Sequence, residues 1–293
     1  MNAGGGPALL TPPRIKALLQ AHGLAPNRWM GQNYLADPNT ARKVARLGGA
    51  APGRTVLEVG PGLGSLTLAL REAGARVVAV ELDAKLVPVL RDVLGDDMGN
   101  GVRVEVADAM KADLAALAPE ATALIANLPY SIAAPLILRV LAEVPAILTI
   151  TAMVQKEVGE RLAAAPGSPA YGGVSVKVAA LAEAAVAAPV SRRVFMPEPR
   201  VDSVLVQVVR RAHPAVAEVG YKALARVVDA AFGQRRKTLR NALRVLGLEA
   251  EQVEAACRAA GIDPGERAER LGVDEFAALT AAIGHSSSRT DQH

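Results

Sequence analysis

The chain has 293 residues, of which 51% are hydrophobic and 21% are charged. This balance excludes a disordered or fibrous chain, and the length predicts one large domain or two unequal ones. The single cysteine, Cys257, excludes an internal disulfide framework and any cluster of cysteines around a metal. The four histidines are scattered without metal-ligand spacing, so we expect no metal cofactor.

The N-terminal sequence and the longest uncharged stretch bear on the location of the protein. The first residues lack a basic start followed by an apolar run and a cleavage site, so we expect no signal peptide. The longest stretch without charge, residues 121–138, contains Asn127, Pro129 and Pro135, which are unsuited to the interior of a membrane helix. We therefore expect a soluble, cytoplasmic protein with no membrane partner.

Basic residues are concentrated in three segments, although the net charge is only +4. Residues 1–36, 190–211 and 232–246 carry +3, +3 and +5, which leaves −7 on the rest of the chain. This asymmetry indicates a polyanionic partner. In the third segment three arginines recur every four residues, which predicts a basic helical face without intervening acids. The candidate phosphate-binding residues there are Arg235, Arg236, Lys237, Arg240 and Arg244.

Short aliphatic runs alternate with helical patterns between residues 54 and 153. Such alternation is typical of a mainly parallel sheet that helices bury on both faces. The sequence therefore predicts an α/β fold. The predicted strands cover residues 55–59, 76–81, 102–106, 123–126 and 146–153, and the predicted helices include residues 66–73, 84–94 and 135–142.

The C-terminal part of the chain has a different pattern. From residue 214 to residue 283 there is no strand-like run, only helical segments broken at Gly247, at residues 261–264 and near Gly272. This shift predicts a small all-α second domain. We predict four parts, which are a basic N-terminal arm (1–36), the α/β domain (37–211), the helical domain (212–284) and a disordered tail (285–293).

A glycine-rich sequence, EVGPGLGS at residues 58–65, follows the first predicted strand and opens a helix. Glycines allow the backbone to approach a ligand closely, and the start of a helix offers unpaired N–H groups. A dinucleotide-binding fingerprint would need glycine at the sixth position, where Ser65 stands. A tight strand-to-helix turn without a ligand is equally compatible with this loop alone.

Carboxylates mark the ends of the next two predicted strands. Glu81 ends the second strand, where it can accept hydrogen bonds from both ribose hydroxyls of a nucleoside. Asp108 follows the third strand, where it can meet the edge of a nucleobase. Because ligands of open α/β sheets bind at the carboxyl ends of the strands, these positions predict a nucleoside site.

The fourth predicted strand leads into Asn127, Leu128, Pro129 and Tyr130. The exocyclic amine of adenine is a poor nucleophile because its lone pair is delocalised into the ring. The side-chain oxygen of Asn127 and the carbonyl of Leu128 can hold the two amine hydrogens and turn the lone pair toward an electrophile. Pro129 restrains the loop, and Tyr130 offers a ring on which an unpaired base can stack.

Seven blocks of the sequence resemble those of one known family. In chain order they are GQNYLADPNTARK, VLEVGPGLGSLTLAL, VVAVELD, ANLPYSIAAPLI, MVQKEVGERLAA, FMPEPRVDSVLV and FGQRRKTLRNAL. Together, over about residues 29–246, the chain resembles the small-subunit ribosomal RNA adenine-N6 dimethyltransferases (KsgA/RsmA type). The resemblance implies a Rossmann-like methyltransferase domain that uses S-adenosylmethionine, and a small helical domain that binds RNA.

The resemblance also implies roles for individual residues and a substrate. The methyl donor would be bound by Asn33, Leu35, Gly60, Gly62, Glu81, Asp108 and Asn127. The target adenine would be held by Asn127, Leu128, Pro129 and Tyr130, with Phe195 against its other face. The implied substrate is small-subunit rRNA within a pre-small-subunit particle, methylated at two adjacent adenines in a hairpin loop near its 3′ end. We expect a monomer.

Two other functions remain open. The related macrolide-resistance methyltransferases act on large-subunit rRNA and share the donor motifs, although the VDS and FGQRRKTLRNAL sequences fit the small-subunit group better. A non-catalytic RNA-binding assembly factor of the same fold is the second alternative, and intact Glu81, Asp108 and Asn127 argue against it. Trp29 departs from the family pattern, and it either packs the arm onto the domain or stacks on RNA.

Overall fold

The computed structural model describes residues 8–27, 31–216, 218–234 and 236–290. Contacts between residues divide the chain into two compact units. The first unit comprises residues 1–159 and 185–209, and the second comprises residues 160–184 and 210–293. The second unit therefore takes in residues 160–184, which the sequence analysis assigned to the α/β domain.

Strands in chain order are β1 (Tyr34–Leu35), β2 (Thr55–Val59), β3 (Arg76–Glu81), β4 (Val102–Val106), β5 (Ala121–Asn127), β6 (Thr149–Gln155), β7 (Ala182–Val190), β8 (Phe195–Met196) and β9 (Ser203–Arg210). Seven of them form a sheet in the order β4-β3-β2-β5-β6-β9-β7, and β1 pairs with β8 separately. The strands from β2 to β6 run parallel, and β9 is antiparallel to β6.

Helices in chain order are α1 (Pro12–Ala21), α2 (Pro38–Leu47), α3 (Ser65–Glu72), α4 (Val87–Leu94), α5 (Leu114–Leu117), α6 (Ala133–Glu143), α7 (Lys156–Leu162), α8 (Gly173–Ala179), α9 (Tyr221–Phe232), α10 (Leu239–Ala242), α11 (Ala250–Ala259) and α12 (Val273–Thr290). No helix in the described part of the chain combines the length and the apolar character needed to cross a bilayer.

The order of the strands reverses at the centre of the sheet, between β2 and β5. From β2 the chain continues to β3 on one side, and it later returns to the other side of β2 as β5. Such a switch opens a crevice at the carboxyl ends of the strands. The strands around it are apolar and buried, as Leu57 and Leu124 illustrate with 0% exposure. The predicted Rossmann-like fold is confirmed.

The described part of the predicted N-terminal arm packs into the first unit. Helix α1 begins at Pro12, whose fixed φ suits the first turn of a helix. Its residues Ile15 and Leu19 are buried and belong to the same apolar cluster as Leu10 and the strands of the sheet. Burial of these side chains removes apolar surface from water and so holds the segment against the sheet domain.

Helices dominate the second unit. An aromatic cluster lies inside it, in which the Phe232 ring is 6.0 Å from that of Tyr171 and 5.9 Å from that of Phe276. The last helix, α12, continues to Thr290, so the predicted tail at residues 285–293 overlaps a helix as far as residue 290. Residues 291–293 lie outside the described part of the chain.

Candidate functional site

A cavity of about 310 Å³ lies at the carboxyl ends of β2, β3 and β5. All the residues that the sequence analysis assigned to the methyl donor or to the target base line this one cavity. They are Asn33, Leu35, Gly60, Gly62, Glu81, Asp108, Asn127, Leu128, Pro129, Tyr130 and Phe195. The geometry therefore brings both predicted groups of residues to a common space.

The glycine loop forms the wall of the cavity after β2. Gly60, Gly62 and Gly64 have φ angles of 71°, 58° and 91°, a region that residues with a Cβ rarely adopt. A Cβ on Gly62 would lie 3.2 Å from Cδ1 of Tyr34, so the close packing of that ring also requires glycine. Helix α3 starts directly after Gly64, and Ser65 and Leu66 of its first turn line the cavity. The first N–H groups of a helix have no acceptor within that helix, so the start of α3 can offer donors to a ligand in the cavity.

Glu81 is held in place by backbone donors and still has accepting capacity. Its Oε2 accepts from the N–H of Gly62 at 3.1 Å, and its Oε1 accepts from the N–H of Asp83 at 2.9 Å. The side chain is 5% exposed, and this burial raises its pKa, which the backbone N–H groups partly counteract. Each carboxylate oxygen has a second lone pair, so Glu81 can accept two hydroxyl donors from a ribose.

Gln32 and Tyr34 form a network beside Glu81 that sequence reasoning missed. The hydroxyl of Tyr34 donates to Oε1 of Gln32 at 2.8 Å, and Nε2 of Gln32 lies 3.4 Å from Oδ2 of Asp83. Burial, and then the charges of Glu81 and Asp83, raise the pKa of Tyr34 well above its ordinary value, so the phenol stays protonated. The GQNYL block is thereby attached to the strand end that carries Glu81.

Asp108 shapes the loop between β4 and α5. Its Oδ1 accepts from the N–H of Met110 at 2.9 Å, which is a local turn typical of aspartate. The N–H groups of Lys111 and Ala112 donate to its carbonyl at 2.9 and 2.8 Å. Asp108 and the buried Ala109 both line the cavity. A carboxylate oxygen and an apolar contact thus lie where the edge of a nucleobase would fit.

Asn127 closes the inner side of the cavity. Its Nδ2 donates to the carbonyl of Asn33 at 3.2 Å, which links β5 to the segment before β1. Among the described residues, no group donates to its Oδ1. The N–H of Leu128 donates to the carbonyl of Met153 at 3.1 Å, and this bond fixes the direction of the following backbone. Asn127 Oδ1 and the Leu128 carbonyl are therefore the acceptors that the loop offers.

Two aromatic rings flank the same space. The hydroxyl of Tyr130 lies 3.2 Å from Oγ of Ser203, at the start of β9. Burial raises the pKa of Tyr130, so this phenol also stays neutral. Phe195 in β8 is 5% exposed and pairs with Leu35 of β1, which brings it to the cavity from far along the chain. Both rings line the cavity together with Asn127.

Glu58 is a further buried carboxyl group on the cavity wall that sequence reasoning did not assign. It is 1% exposed, and its Oε2 accepts from Oγ1 of Thr67 at 2.7 Å. Burial raises its pKa to about 8, and the charge of Glu81 adds to this. The only sequence signal for it was its place at the start of the EVGPGLG block.

The predicted basic helical face is wrong in its geometry. Helix α9 ends at Phe232, Arg236 precedes α10, and Arg244 lies in the 3-10 helix that follows α10 at Leu243–Leu246, so the three arginines do not share one α-helix. The reason is that α9 ends before Gly233 and the next α-helix begins only at Leu239, which leaves Arg236 in a turn. An acid also intervenes, because Nε of Arg240 pairs with Oε1 of Glu254 at 2.8 Å.

Arg236, Lys237, Arg240 and Arg244 are nevertheless all exposed. Their side chains can reach phosphate groups, so their role in binding RNA remains a prediction. Arg235 and Trp29, which the sequence analysis also singled out, lie outside the described residues. In the described part of the chain, no group of three His, Cys, Asp or Glu residues could hold a metal ion.

Comparison with known proteins identifies the family. A family model described as ribosomal RNA adenine dimethylase matches residues 24–284. The chain belongs to this family. This membership confirms the family predicted from the sequence blocks and the enzyme class, an rRNA adenine dimethyltransferase. The roles of the individual residues remain predictions.

Relatives of this dimethylase cover almost the whole chain. The protein called ribosomal RNA small subunit methyltransferase A in Streptomyces avermitilis is 45% identical over 288 residues, which are 97% of each chain. The protein of the same name in Kineococcus radiotolerans is 46% identical over 275 residues, 94% of this chain and 91% of the relative.

Two solved structures share the fold. A dimethyladenosine transferase from Plasmodium falciparum superposes with a TM-score of 0.71 at 22% identity, covering 86% of this chain and 98% of its own. The 23S rRNA methyltransferase ErmE superposes with a TM-score of 0.64 at 27% identity, covering 86% of this chain and 100% of its own.

Proposed function

We propose that this dimethylase transfers methyl groups from S-adenosylmethionine to N6 of two adjacent adenines in small-subunit rRNA. The target is a hairpin loop near the 3′ end of that RNA. The observation that carries the proposal is the common cavity, in which Glu81 and Asp108 lie together with Asn127, Tyr130 and Phe195. The relatives at 45% and 46% identity, both called small subunit methyltransferases, support the choice of subunit.

The residues present fit the methyl donor. Glu81 is buried, fixed by two backbone N–H groups and able to accept two hydroxyls of the ribose. Asp108 can accept from the adenine amine of the donor, beside the apolar surface of Ala109. Gly60 and Gly62 allow the backbone to approach the ligand closely, and Asn33 and Leu35 line the facing wall. When bound, S-adenosylmethionine supplies an electrophilic methyl group.

The chemical task of the protein at the target adenine is orientation. Oδ1 of Asn127 and the carbonyl of Leu128 accept the two amine hydrogens, which directs the nitrogen lone pair out of conjugation with the ring. The rings of Tyr130 and Phe195 hold the two faces of the base and exclude water. The amine loses its proton after it has become cationic, so no general base is needed before attack.

The target base must leave its stack to reach this cavity, which favours a loop over a duplex. We further propose that the protein acts as a monomer in the cytoplasm on a partly assembled pre-small-subunit particle. The exposed basic residues Arg236, Lys237, Arg240 and Arg244, together with Arg235, bind phosphate groups of that RNA. No metal is required by this chemistry.

The test is transfer of a tritiated methyl group to small ribosomal subunits isolated from cells that lack this methylation. We expect Asn127→Ala to lower the rate by at least about a hundredfold, because an aligned acceptor at the reacting amine is lost. The matched control is Asn100→Ala, which changes an exposed asparagine in the turn before β4. Wild-type rates in Asn127→Ala would refute the orienting role.

Large-subunit rRNA is the second candidate substrate, because ErmE shares the fold at 27% identity. The same assay separates the two possibilities when large subunits are offered in parallel. We expect label in the small subunit alone. Label confined to the large subunit would contradict the proposed substrate.

A further inference from the structure

Arg139 on α6 directs its whole guanidinium group to partners within the protein. Its side chain is 17% exposed. Its Nη1 donates to the carbonyl of Ala109 at 2.5 Å, and its Nη2 donates to the carbonyl of Ala112 at 2.8 Å. Its Nε pairs with Oε2 of Glu143 at 2.8 Å. All three nitrogens of the guanidinium group are therefore engaged, two of them with backbone.

The two carbonyls belong to the loop that presents Asp108 to the cavity. Within that loop, the hydrogen bonds of Asp108 run to Met110, Lys111 and Ala112, so they hold its turn together without attaching it to another element. Arg139 supplies that attachment from α6. Because the guanidinium group is planar and rigid, two bonds from one side chain fix both the position and the tilt of the loop.

The helix that carries Arg139 also follows the loop at residues 127–130, which is predicted to hold the target adenine. Helix α6 starts at Ala133, three residues after Tyr130. One element thus connects the residues predicted to hold the target adenine with those predicted to meet the adenine of the donor. A lysine could replace the charge toward Glu143, but a single ammonium group cannot reproduce the two-pronged contact.

We propose that Arg139 is a positioning residue that orients Asp108 and Ala109 for recognition of the purine ring of the methyl donor. This inference rests on the proposed function, in which Asp108 accepts a hydrogen bond from the 6-amino group. The role is specific: Arg139 contributes to telling a 6-amino purine from a 6-oxo purine, which lacks that donor. A purely structural arginine would affect the binding of both purines equally.

Calorimetric titration with S-adenosylhomocysteine and S-inosylhomocysteine tests the inference. We expect the wild-type protein to prefer the adenosyl ligand. Arg139→Lys should weaken binding of that ligand by about tenfold, and it should change binding of the inosyl ligand little, so the preference shrinks. Arg139→Gln, which loses the charge as well, should shrink it further. Thermal melting establishes that each variant is folded.

Two control variants isolate the backbone contacts. Glu143→Gln removes the ion pair but leaves both carbonyl bonds, so it should keep the wild-type preference. Arg42→Ala removes an exposed ion pair between Arg42 of α2 and Glu72 of α3, so it should also leave the preference unchanged.

Three results would count against the inference or its basis. An Arg139→Lys protein with the wild-type preference would overturn the inference and leave the proposed function standing. A wild-type protein that binds both ligands equally would overturn the role of Asp108 on which the inference depends. A wild-type protein that binds neither ligand would refute the donor site itself.

Discussion

Replacing Gly60 with alanine tests two properties of the glycine loop separately, namely its positive φ angle and its close approach to the methyl donor. Gly60 has φ 71°, and an added Cβ would lie 3.8 Å from Cδ of Pro129 and 4.0 Å from the carbonyl of Asn127. These are ordinary contacts, so the protein can accommodate the methyl group. The methyl group would, however, occupy space between two segments that both line the cavity.

The cost in stability follows from the backbone angle. A residue with a Cβ in the left-handed region costs about 1–2 kcal/mol, and the lower entropy of the unfolded alanine chain offsets about 0.4–1 kcal/mol of this. We therefore expect Gly60→Ala to lose about 1 kcal/mol of unfolding free energy. Gly53 provides the control, because its φ is 79° and its Cβ would meet nothing within 4 Å. Gly53→Ala should lose a similar amount.

Only the variant in the cavity should lose ligand binding. Urea unfolding measures the stability of both variants, and calorimetric titration with S-adenosylhomocysteine measures their affinity. We expect Gly60→Ala to bind at least about tenfold more weakly, which corresponds to about 1.4 kcal/mol, while Gly53→Ala binds as the wild type does. Equal affinity in the two variants would refute the claim that the loop approaches the ligand at Gly60.

Three further predictions concern a buried acid, an aromatic ring and the basic residues. Burial raises the pKa of Glu58 to about 8 from an ordinary 4.5, so in this pH range the folded protein holds a proton that the unfolded chain releases. The contribution of Glu58 to stability must then fall as pH rises toward 8. The free energy of unfolding in urea, measured at pH 6 and pH 8.5, should therefore change less with pH in Glu58→Gln than in the wild type. An identical change in both proteins would contradict the burial argument. Ser203→Ala removes the partner of the Tyr130 hydroxyl and should lower the methyl-transfer kcat about fivefold without changing donor affinity, whereas weaker donor binding would assign Ser203 a different role. The double variant Arg236→Glu with Arg244→Glu should bind small subunits more weakly in filter assays and with a shallower salt dependence, and unchanged binding would remove these residues from the RNA interface.

The strands that lead to the site are the elements that were predicted most accurately from the sequence. Strands β2, β3 and β4 begin and end at the predicted residues, because each is a short valine-rich run between turn residues. The ends of these strands then located Glu81 and Asp108 from topology alone. The same reasoning placed Asn127 at the end of β5.

Other features depend on contacts between distant parts of the chain. Strand β7 was missed because alanines dominate it and hide any alternation of apolar and polar residues. The pairing of β1 with β8 joins segments about 160 positions apart, and nothing local indicates it. The contact between Gln32 and Asp83 and the bonds from Arg139 to two carbonyls are of the same kind.

The basic helical face shows how a local pattern can mislead. A spacing of four residues predicts one face only if the helix is continuous, and the α-helix here covers only Leu239–Ala242, with Arg236 in the turn before it and Arg244 in the 3-10 helix after it. The pairing of Arg240 with Glu254 depends on how α11 packs, which spacing along the chain cannot reveal. Arg236, Lys237 and Arg244 are exposed, as they would also be on one continuous helix.

Mass-spectrometric mapping of methylated adenines tests the central claim most directly. Small and large subunits from cells that lack this methylation are incubated with the purified protein and S-adenosylmethionine, and each rRNA is digested and mapped. We expect N6,N6-dimethyladenosine at two adjacent positions in a hairpin loop near the 3′ end of small-subunit rRNA. Dimethyladenosine in large-subunit rRNA only, or in neither rRNA, would contradict it.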